Sequence, residues 1–421
     1  MITRLAVRAF KGLREFDITP RKVNLLIGAN GTGKTNFTDL IELISRLCQR
    51  GLVATIEQGA GGLSQVRTRQ PGAGTPYKFQ IELWLGEDQS RGVKEAHYLM
   101  TLAQSKEIKV QKELLEAEVY KRKPGKPAMR GVPRFDTDQS RTLHYQREGT
   151  KVTEWSDALG PRIGEFDDER ELVLASYGRL GELRTLSDYL SSWQVYNIDA
   201  TIAKRATSES DAELERYGAN IVPYVVRMLR NSRLRERLLS DLRETVPYIE
   251  NIQPDRVLAF QSLRFTEQDT GVQFQLPEMS DGTIRLLGLL AVLRQPVPPA
   301  VVVIEEPENA LHAYAVHHLL RVVRQVTMAD QFASQVFLTS HSPAVVDEVL
   351  SVEAIHETQS QTACFVTQRR PEAPSIVPAP DSVMGAIARN LGRPSDFQRE
   401  GAFGDEPTQL QLALAEPERV E

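Results

Sequence analysis

The chain has 421 residues, 41% of them hydrophobic and 25% charged, with a formal net charge of -5. That size and balance fit two or three folded units with a sizeable core, and give no whole-molecule attraction to nucleic acid or to anionic membrane. Two widely separated cysteines, Cys48 and Cys364, provide neither a disulfide framework nor metal-ligand spacing, and a reducing cytoplasm is the expected compartment.

The first residues, MITRLAVRAFKGL, alternate apolar and polar and read as a first strand; they lack the apolar core of a signal peptide. No run of about 18 apolar residues follows anywhere, so no membrane span is expected. Residues 23–28 (VNLLIG) are a short apolar strand that enters a glycine-rich turn. After the turn, Phe37, Leu40, Ile41, Ile44, Leu47 and Cys48 recur at helical spacing, and Gly51 is placed to stop the helix.

Residues 75–155 contain alternating runs (YKFQIELWL, HYLMTLAQ, TLHYQREG) and are expected to form antiparallel strands. Within them, Lys121–Arg134 (KRKPGKPAMRGVPR) carries six basic residues, three prolines and no acid, and reads as an exposed loop. Residues 180–250 are helical in pattern and include Arg227, Arg230, Arg233, Arg235, Arg237 and Arg243, without sustained heptads. From Ser280 an α/β alternation returns: SDGTIRLLGLLAVL helical, AVVVIEE a buried strand ending in acids, ALHAYAVHHLLRVVRQV helical, QVFLTSHS a strand, PAVVDEVL a helix. Beyond about Arg369 the tail is rich in Pro, Glu and Ala, and part of it is expected to be mobile.

The turn Gly28-Ala29-Asn30-Gly31-Thr32-Gly33-Lys34-Thr35 matches G-x-x-x-x-G-K-[ST] in full, between a strand and a helix. Glycines let the backbone curl its N–H groups toward a phosphate, and the helix N-terminus adds positive potential. Lys34 would reach the β- and γ-phosphates, and the Thr35 hydroxyl would ligate Mg²⁺. Val301–Ile304 is a buried strand ending in Glu305 and Glu306; Glu305 is the candidate metal partner and Glu306 the candidate for polarising the attacking water. His341 follows Val336-Phe337-Leu338 and could touch a γ-phosphate from its strand end. Ser280-Asp281-Gly282-Thr283 opens a helix, either as a simple cap or as an anion-binding start offered to another molecule's nucleotide; position alone does not decide.

The set resembles the ABC-type ATPase heads of SMC and RecF proteins and of OLD-family nucleases, and more closely the standalone bacterial ATPases of that group. GANGTGKTN, MSDGTIRLLGLLAVL, VVVIEEPENALH and VFLTSHSPAVVDEV appear in that family's order, as do LSSWQVYNI, ERYGANIVPYVVRML and LRETVPYIENI, over roughly residues 1–355. The resemblance implies an α/β fold: an ABC-type P-loop ATPase head with a mixed sheet, flanking helices, an antiparallel β subdomain and a helical insertion. It implies units at 1–178 (N-terminal lobe), 179–255 (helical insertion), 256–370 (C-terminal lobe) and 371–421 (tail). ATP would be held by Gly28, Asn30, Gly31, Gly33, Lys34, Thr35 and Asn36 of one copy and by the degenerate signature residues Ser280 and Gly282 of a second. Lys34, Glu306 and the switch residue His341 would be catalytic, Thr35 and Glu305 would serve Mg²⁺, and Glu308 and Asn309 would lie in the D-loop that crosses the dimer interface. Glu305 stands where many ABC proteins have Asp, which points to an indirect or water-mediated metal contact. Gln58 and Gln65 are the two candidates for the Q-loop glutamine.

The span from Lys34 to Glu306 has room for a compact lobe but not for a long SMC-type arm, and there is no C-x-x-C hook. The stretch beyond His341 is shorter than the topoisomerase-primase nuclease domain of OLD proteins, so no nuclease is expected in it. These readings lead to an ATP-driven homodimer switch in DNA maintenance or antiphage defence. The alternative is a regulatory scaffold that holds a separately encoded nuclease or toxin, with the nucleotide mainly structural. DNA contact would use the Lys121–Arg134 stretch and the arginine-bearing helix near 227–243; no membrane partner is expected.

Overall fold

The structure is a computed structural model and describes residues 1–59, 77–104, 107–125, 133–159, 163–164, 166–205, 213–257, 260–295, 297–351, 361–368, 375–399 and 401–403. Strands β1 (Ile2–Phe10) and β2 (Leu13–Ile18) form a hairpin that buries Ile2, Leu5, Val7, Phe10, Leu13, Phe16 and Ile18 on one face, with a register shift between Ile2 and Arg4. β3 (Val23–Ile27) is buried at every position, and helix α1 (Lys34–Arg50) follows it and ends at Gly51, whose φ of 81° and N–H bond to Leu47 O (3.0 Å) close the last turn. β4 (Tyr77–Leu85), β5 (Val93–Gln104), β6 (Ile108–Lys123), β7 (Arg134–Glu148) and β8 (Lys151–Trp155) extend the hairpin into a seven-stranded antiparallel sheet, order β2-β1-β4-β5-β6-β7-β8.

Short helices α2 (Val173–Tyr177) and α3 (Leu183–Ser191) then lead to β9 (Gln194–Tyr196). After β9 come α4 (Ala200–Ala203), α5 (Ile221–Leu229) and α6 (Ser232–Thr245), then a small sheet of β10 (Ile249–Val257), β11 (Phe260–Glu267) and β12 (Gln273–Gln275). The C-terminal part runs α7 (Asp281–Leu293), β13 (Val301–Glu305), α8 (Ala313–Thr327), β14 (Gln335–Ser340), α9 (Pro343–Leu350), β15 (Thr362–Thr367) and β16 (Ile376–Pro378). The second large sheet has the order β16-β15-β3-β14-β13-β9, parallel throughout except for β16.

Side-chain alternation along the parallel strands divides the interior in two. Leu26, Val301, Val303 and Phe337 face α1 and the antiparallel sheet, where Phe37 of α1 packs on Phe337 (centroids 5.3 Å) and Phe16 (6.2 Å). Leu25, Ile27, Val302, Ile304, Val336 and Leu338 face the opposite core, built on α5 to α9. The start of the chain is pinned to this sheet: Gln335 accepts from Ile2 N–H (2.8 Å) and donates to Ile2 O (2.9 Å).

Three sequence expectations change. Lys121–Lys123 are strand, not loop: β6 continues to Lys123, opposite Arg134 at the start of β7. The register survives because Pro124 and Pro133, which cannot serve a ladder, fall just outside it, while Lys121 bonds Gln139 (2.8 Å) and Lys123 faces Asp136 (3.5 Å). Residues 126–132 of that stretch lie outside the described residues. Within the expected helical stretch, Gln194–Tyr196 is instead the edge strand of the parallel sheet, its apolar Val195 and Tyr196 buried beside β13. In the tail, β16 joins the sheet and a helix, Asp381–Ala388, buries Val383, Ala386 and Ile387; the expected mobile end from 404 lies outside the described residues.

Candidate nucleotide site

Neighbouring parallel strands β3, β14 and β13 end together, with Ile27 level with Ser340 and Thr339 level with Glu305. The turn Gly28–Lys34, His341 and Glu306 therefore gather along one rim, the place where open parallel sheets bind ligands. Gly31 (φ 79°) and Gly33 (φ 123°) take left-handed backbone that a side chain would strain, and a Cβ on Gly33 would stand 2.9 Å from Leu13. No side chain caps α1, which leaves its first-turn N–H groups for an anion.

Lys34 is buried and folds back over the turn, donating to Gly28 O (2.6 Å) and Ala29 O (3.1 Å). Burial pushes its pKa down, while Glu306 and Glu308 pull it up. Thr35 and Asn30 are exposed on the rim, whereas Asn36 lies against Gly12 in the β1–β2 turn. Thr32 anchors the turn through Ala29 O (2.8 Å) and the Thr367 hydroxyl (2.7 Å) at the end of β15.

Glu306 stands directly after β13 in left-handed backbone (φ 45°), uncommon for a residue with a Cβ and typical of functional positions under strain. Its N–H donates to Thr339 O (2.9 Å), its Oε2 accepts from Asn309 (2.7 Å), and its Oε1 is 3.6 Å from His341 Nδ1. His341 Nδ1 also lies 3.8 Å from Glu308, which accepts from Ser340 (2.7 Å). The expected D-loop pair thus braces the expected water-polarising acid and its histidine.

Glu305 is buried and more heavily engaged than expected. Its Oε1 accepts from Thr38 and Arg216, and its Oε2 accepts from Asn197 (2.8 Å). Burial alone would lower the Arg216 pKa, but Glu305 first, then Asp39 and Glu42, hold it above its ordinary value. Among the described residues no cluster of three His, Cys, Asp or Glu side chains is arranged to hold a metal. A divalent ion fits here only with phosphate oxygens, the free Thr35 hydroxyl and water as its main donors, Glu305 having one lone pair left on Oε2.

Ser280 and Gly282 lie at the start of α7. Ser280 is exposed and caps the helix by accepting from Thr283 N–H (3.1 Å), and a Cβ on Gly282 would meet Ala310 O at 2.4 Å. The cap reading is present in the structure, and Ser280 remains exposed at the helix start. From the same helix, buried Arg285 donates to Glu305 O and Glu306 O (2.8 Å each) and to Ile198 O (2.6 Å), fixing the turn that aims Glu306.

Sequence reasoning missed Thr38, Asn197, Arg216 and Arg285. Asn197 and Arg216 sit inside the quoted LSSWQVYNI and ERYGANIVPYVVRML stretches, a signal that carried no role. Gln65 and the side chain of Gln58 lie outside the described residues. Of the basic groups proposed for DNA, Arg122 reaches Thr185 (3.3 Å), Arg235 reaches Asn251 (2.7 Å) and Arg243 reaches Ile249 O (3.2 Å); Arg230, Arg233 and Arg237 are exposed. No described helix is long and apolar enough to cross a membrane.

A parallel core sheet with a phosphate-binding turn, an antiparallel lobe and a carboxylate pair at the strand ends defines the ABC-type P-loop ATPase head. A family model described as "AAA domain, putative AbiEii toxin, Type IV TA system" matches residues 23–347, and the chain belongs to that family. Among solved structures, the chain is similar to the Smc head domain from Pyrococcus furiosus, with an extended coiled coil and bound to the C-terminal domain of ScpA. That match has a TM-score of 0.50 and 11% identity, over 93% of this chain and 99% of that one. It is also similar to the SMC head domain from Thermotoga maritima, with a TM-score of 0.43 and 11% identity, over 90% and 99% of the two chains. No curated protein matches the chain.

Proposed function

We propose that the chain binds and hydrolyses ATP and that two copies close around two nucleotides, making hydrolysis a switch of association. The observation that carries this reading is the convergence of the Gly28–Thr35 turn, Glu306 and His341 at the ends of adjacent parallel strands. The first-turn amides and Lys34 bind the phosphates, Lys34 exchanging its two carbonyl partners for phosphate oxygens. Glu306 orients the attacking water and accepts its proton, while His341 contacts the γ-phosphate and, through Glu306 and Glu308, reports its presence. Mg²⁺, when bound with the triphosphate, neutralises charge on the phosphate oxygens; Thr35 would hold it, with Glu305 in support.

The exposed start of α7 at Ser280 and Gly282 completes the site of the other copy. Closure moves the insertion and the antiparallel lobe against a partner, in DNA maintenance or antiphage defence. Glu306→Gln is expected to lower turnover by about a hundredfold or more and to trap an ATP-bound dimer. Light scattering with and without ATP checks this; a protein that binds ATP yet stays at one mass in both states overturns the switch.

A second reading is a scaffold that holds a separately encoded effector, with nucleotide mainly structural; the family description, which names a putative toxin of a Type IV TA system, supports it only in placing the family in a toxin–antitoxin setting. Turnover measured with and without duplex DNA separates the two: DNA stimulation supports a maintenance role, and slow turnover indifferent to DNA supports the scaffold.

A further inference from the structure

Arg216 pairs with three acids, Asp39, Glu42 and Glu305, and nothing in the mechanism above uses it. It comes from the segment between α4 and α5, and its own carbonyl accepts from Asn197 N–H (2.8 Å), the residue that also bonds Glu305. One terminal nitrogen, Nη1, reaches both Asp39 and Glu42 of α1 (2.7 Å each). The other, Nη2, reaches Glu305 and the Thr38 hydroxyl (3.2 Å). Its buried Nε has no partner among the described residues.

The three acids are not equally dependent on it. Asp39 also pairs with Lys11 (2.6 Å), and Glu42 also pairs with Arg46. Glu305 has Arg216 as its sole cation among the described ion pairs, and it is the one of the three that stands at the strand end beside the phosphate-binding turn. A guanidinium and a divalent ion are two claimants for one carboxylate, and occupancy by the first weakens the pull on the second.

We infer that Arg216 is a positioning residue that competes with the divalent ion for the Glu305 carboxylate, and so sets the Mg²⁺ concentration at which the site takes nucleotide. The inference rests on the nucleotide-site reading proposed above. Because Arg216 is carried by the segment that enters α5, it also gives the insertion a direct hold on the metal requirement of the site.

The test is ATP binding by titration calorimetry across a Mg²⁺ series, with full-length protein and no reliance on turnover. Arg216→Gln is expected to lower the half-saturating Mg²⁺ about fivefold, as loss of one neighbouring cation at a partly screened site implies. Arg216→Lys, which keeps the charge, is expected to stay within about twofold of the parent on the same grounds. If Arg216→Gln binds ATP but needs the same or more Mg²⁺, competition is wrong while the nucleotide site stands. If the parent protein binds no ATP at any Mg²⁺ concentration, the site reading fails and this inference with it. Should Arg216→Gln not fold, judged by circular dichroism, Asp39→Asn with Glu42→Gln leaves Glu305 as the sole anion on Arg216. The half-saturating Mg²⁺ should then rise, and an unchanged or lower value overturns the inference.

Discussion

Glu113 in the antiparallel sheet and Glu305 in the parallel sheet are both buried carboxylates, and the chain treats them in opposite ways. Glu113 is fully enclosed and accepts from the Tyr98 and Tyr145 hydroxyls (2.9 and 2.8 Å) and from Val173 and Leu174 N–H (2.8 and 3.2 Å), with Arg147 standing off at 3.9 Å. Its donors are neutral, close and contributed by strands and by the start of α2, so it staples that helix to the sheet. Glu305 is held at the end of β13 by an ion pair to Arg216, together with the Thr38 hydroxyl and the Asn197 amide. Neutral, saturated hydrogen bonding makes a fixed structural carboxylate; a cationic partner makes one that a second cation can contest.

The largest expected effect tests that distinction on stability. Glu113→Ala leaves four buried donors without their acceptor and is expected to cost about 3–5 kcal/mol. Glu305→Ala leaves Arg216 its two other acids and is expected to cost about 1–2 kcal/mol. Denaturant unfolding of both variants decides the matter, and equal losses would erase the contrast.

A second effect concerns pH. Burial raises the Glu113 pKa above its ordinary 4.5, against the bonds from Val173, Tyr145, Leu174 and Tyr98 that pull it down. Between 4.5 and the raised folded value, the folded state holds a proton that the unfolded state has lost, so the Glu113 contribution falls as pH rises. The stability gap between the parent and Glu113→Gln should therefore narrow on going up from pH 4.5. A gap that widens over that interval would mean Glu113 is held charged in the fold. The smallest effect belongs to Ser280→Ala, which removes a helix cap worth about 1 kcal/mol. If the exposed helix start serves a second copy, this variant keeps ATP binding but loses ATP-dependent association; loss of stability alone would make Ser280 a cap and nothing more.

What was legible in the sequence was local. The phosphate-binding turn, the acids after β13 and His341 after β14 each lie within a few residues of the apolar run that positions them, so spacing alone places them at strand ends. Arg285 reaches the Glu305 and Glu306 carbonyls across 20 and 21 residues, Arg216 reaches Glu305 across 89, and Thr38 reaches it across 267. Such partners have no periodicity to betray them. Lys121–Lys123 misled for a different reason: basic residues and prolines signal a loop, but here the charges find partners on the strand, Lys121 with Gln139, Arg122 with Thr185 and Lys123 with Asp136, and Pro124 and Pro133 fall just beyond the ladder. The three residues of β9 are too few to show a pattern at all.

The central strand β3 has β14 on one side and β15 on the other, registered against residues 336–340 and 362–366. A chain emerging from the ribosome can fold its contiguous antiparallel strands early, yet β3 keeps two bare edges until the last third of the polypeptide arrives. The rim that gathers the Gly28–Thr35 turn, Glu306 and His341 is thus completed only once β14 arrives. A chain that stops before β14 keeps the Gly28–Thr35 turn but lacks both the strand that joins β3 to β13 and the histidine that follows it.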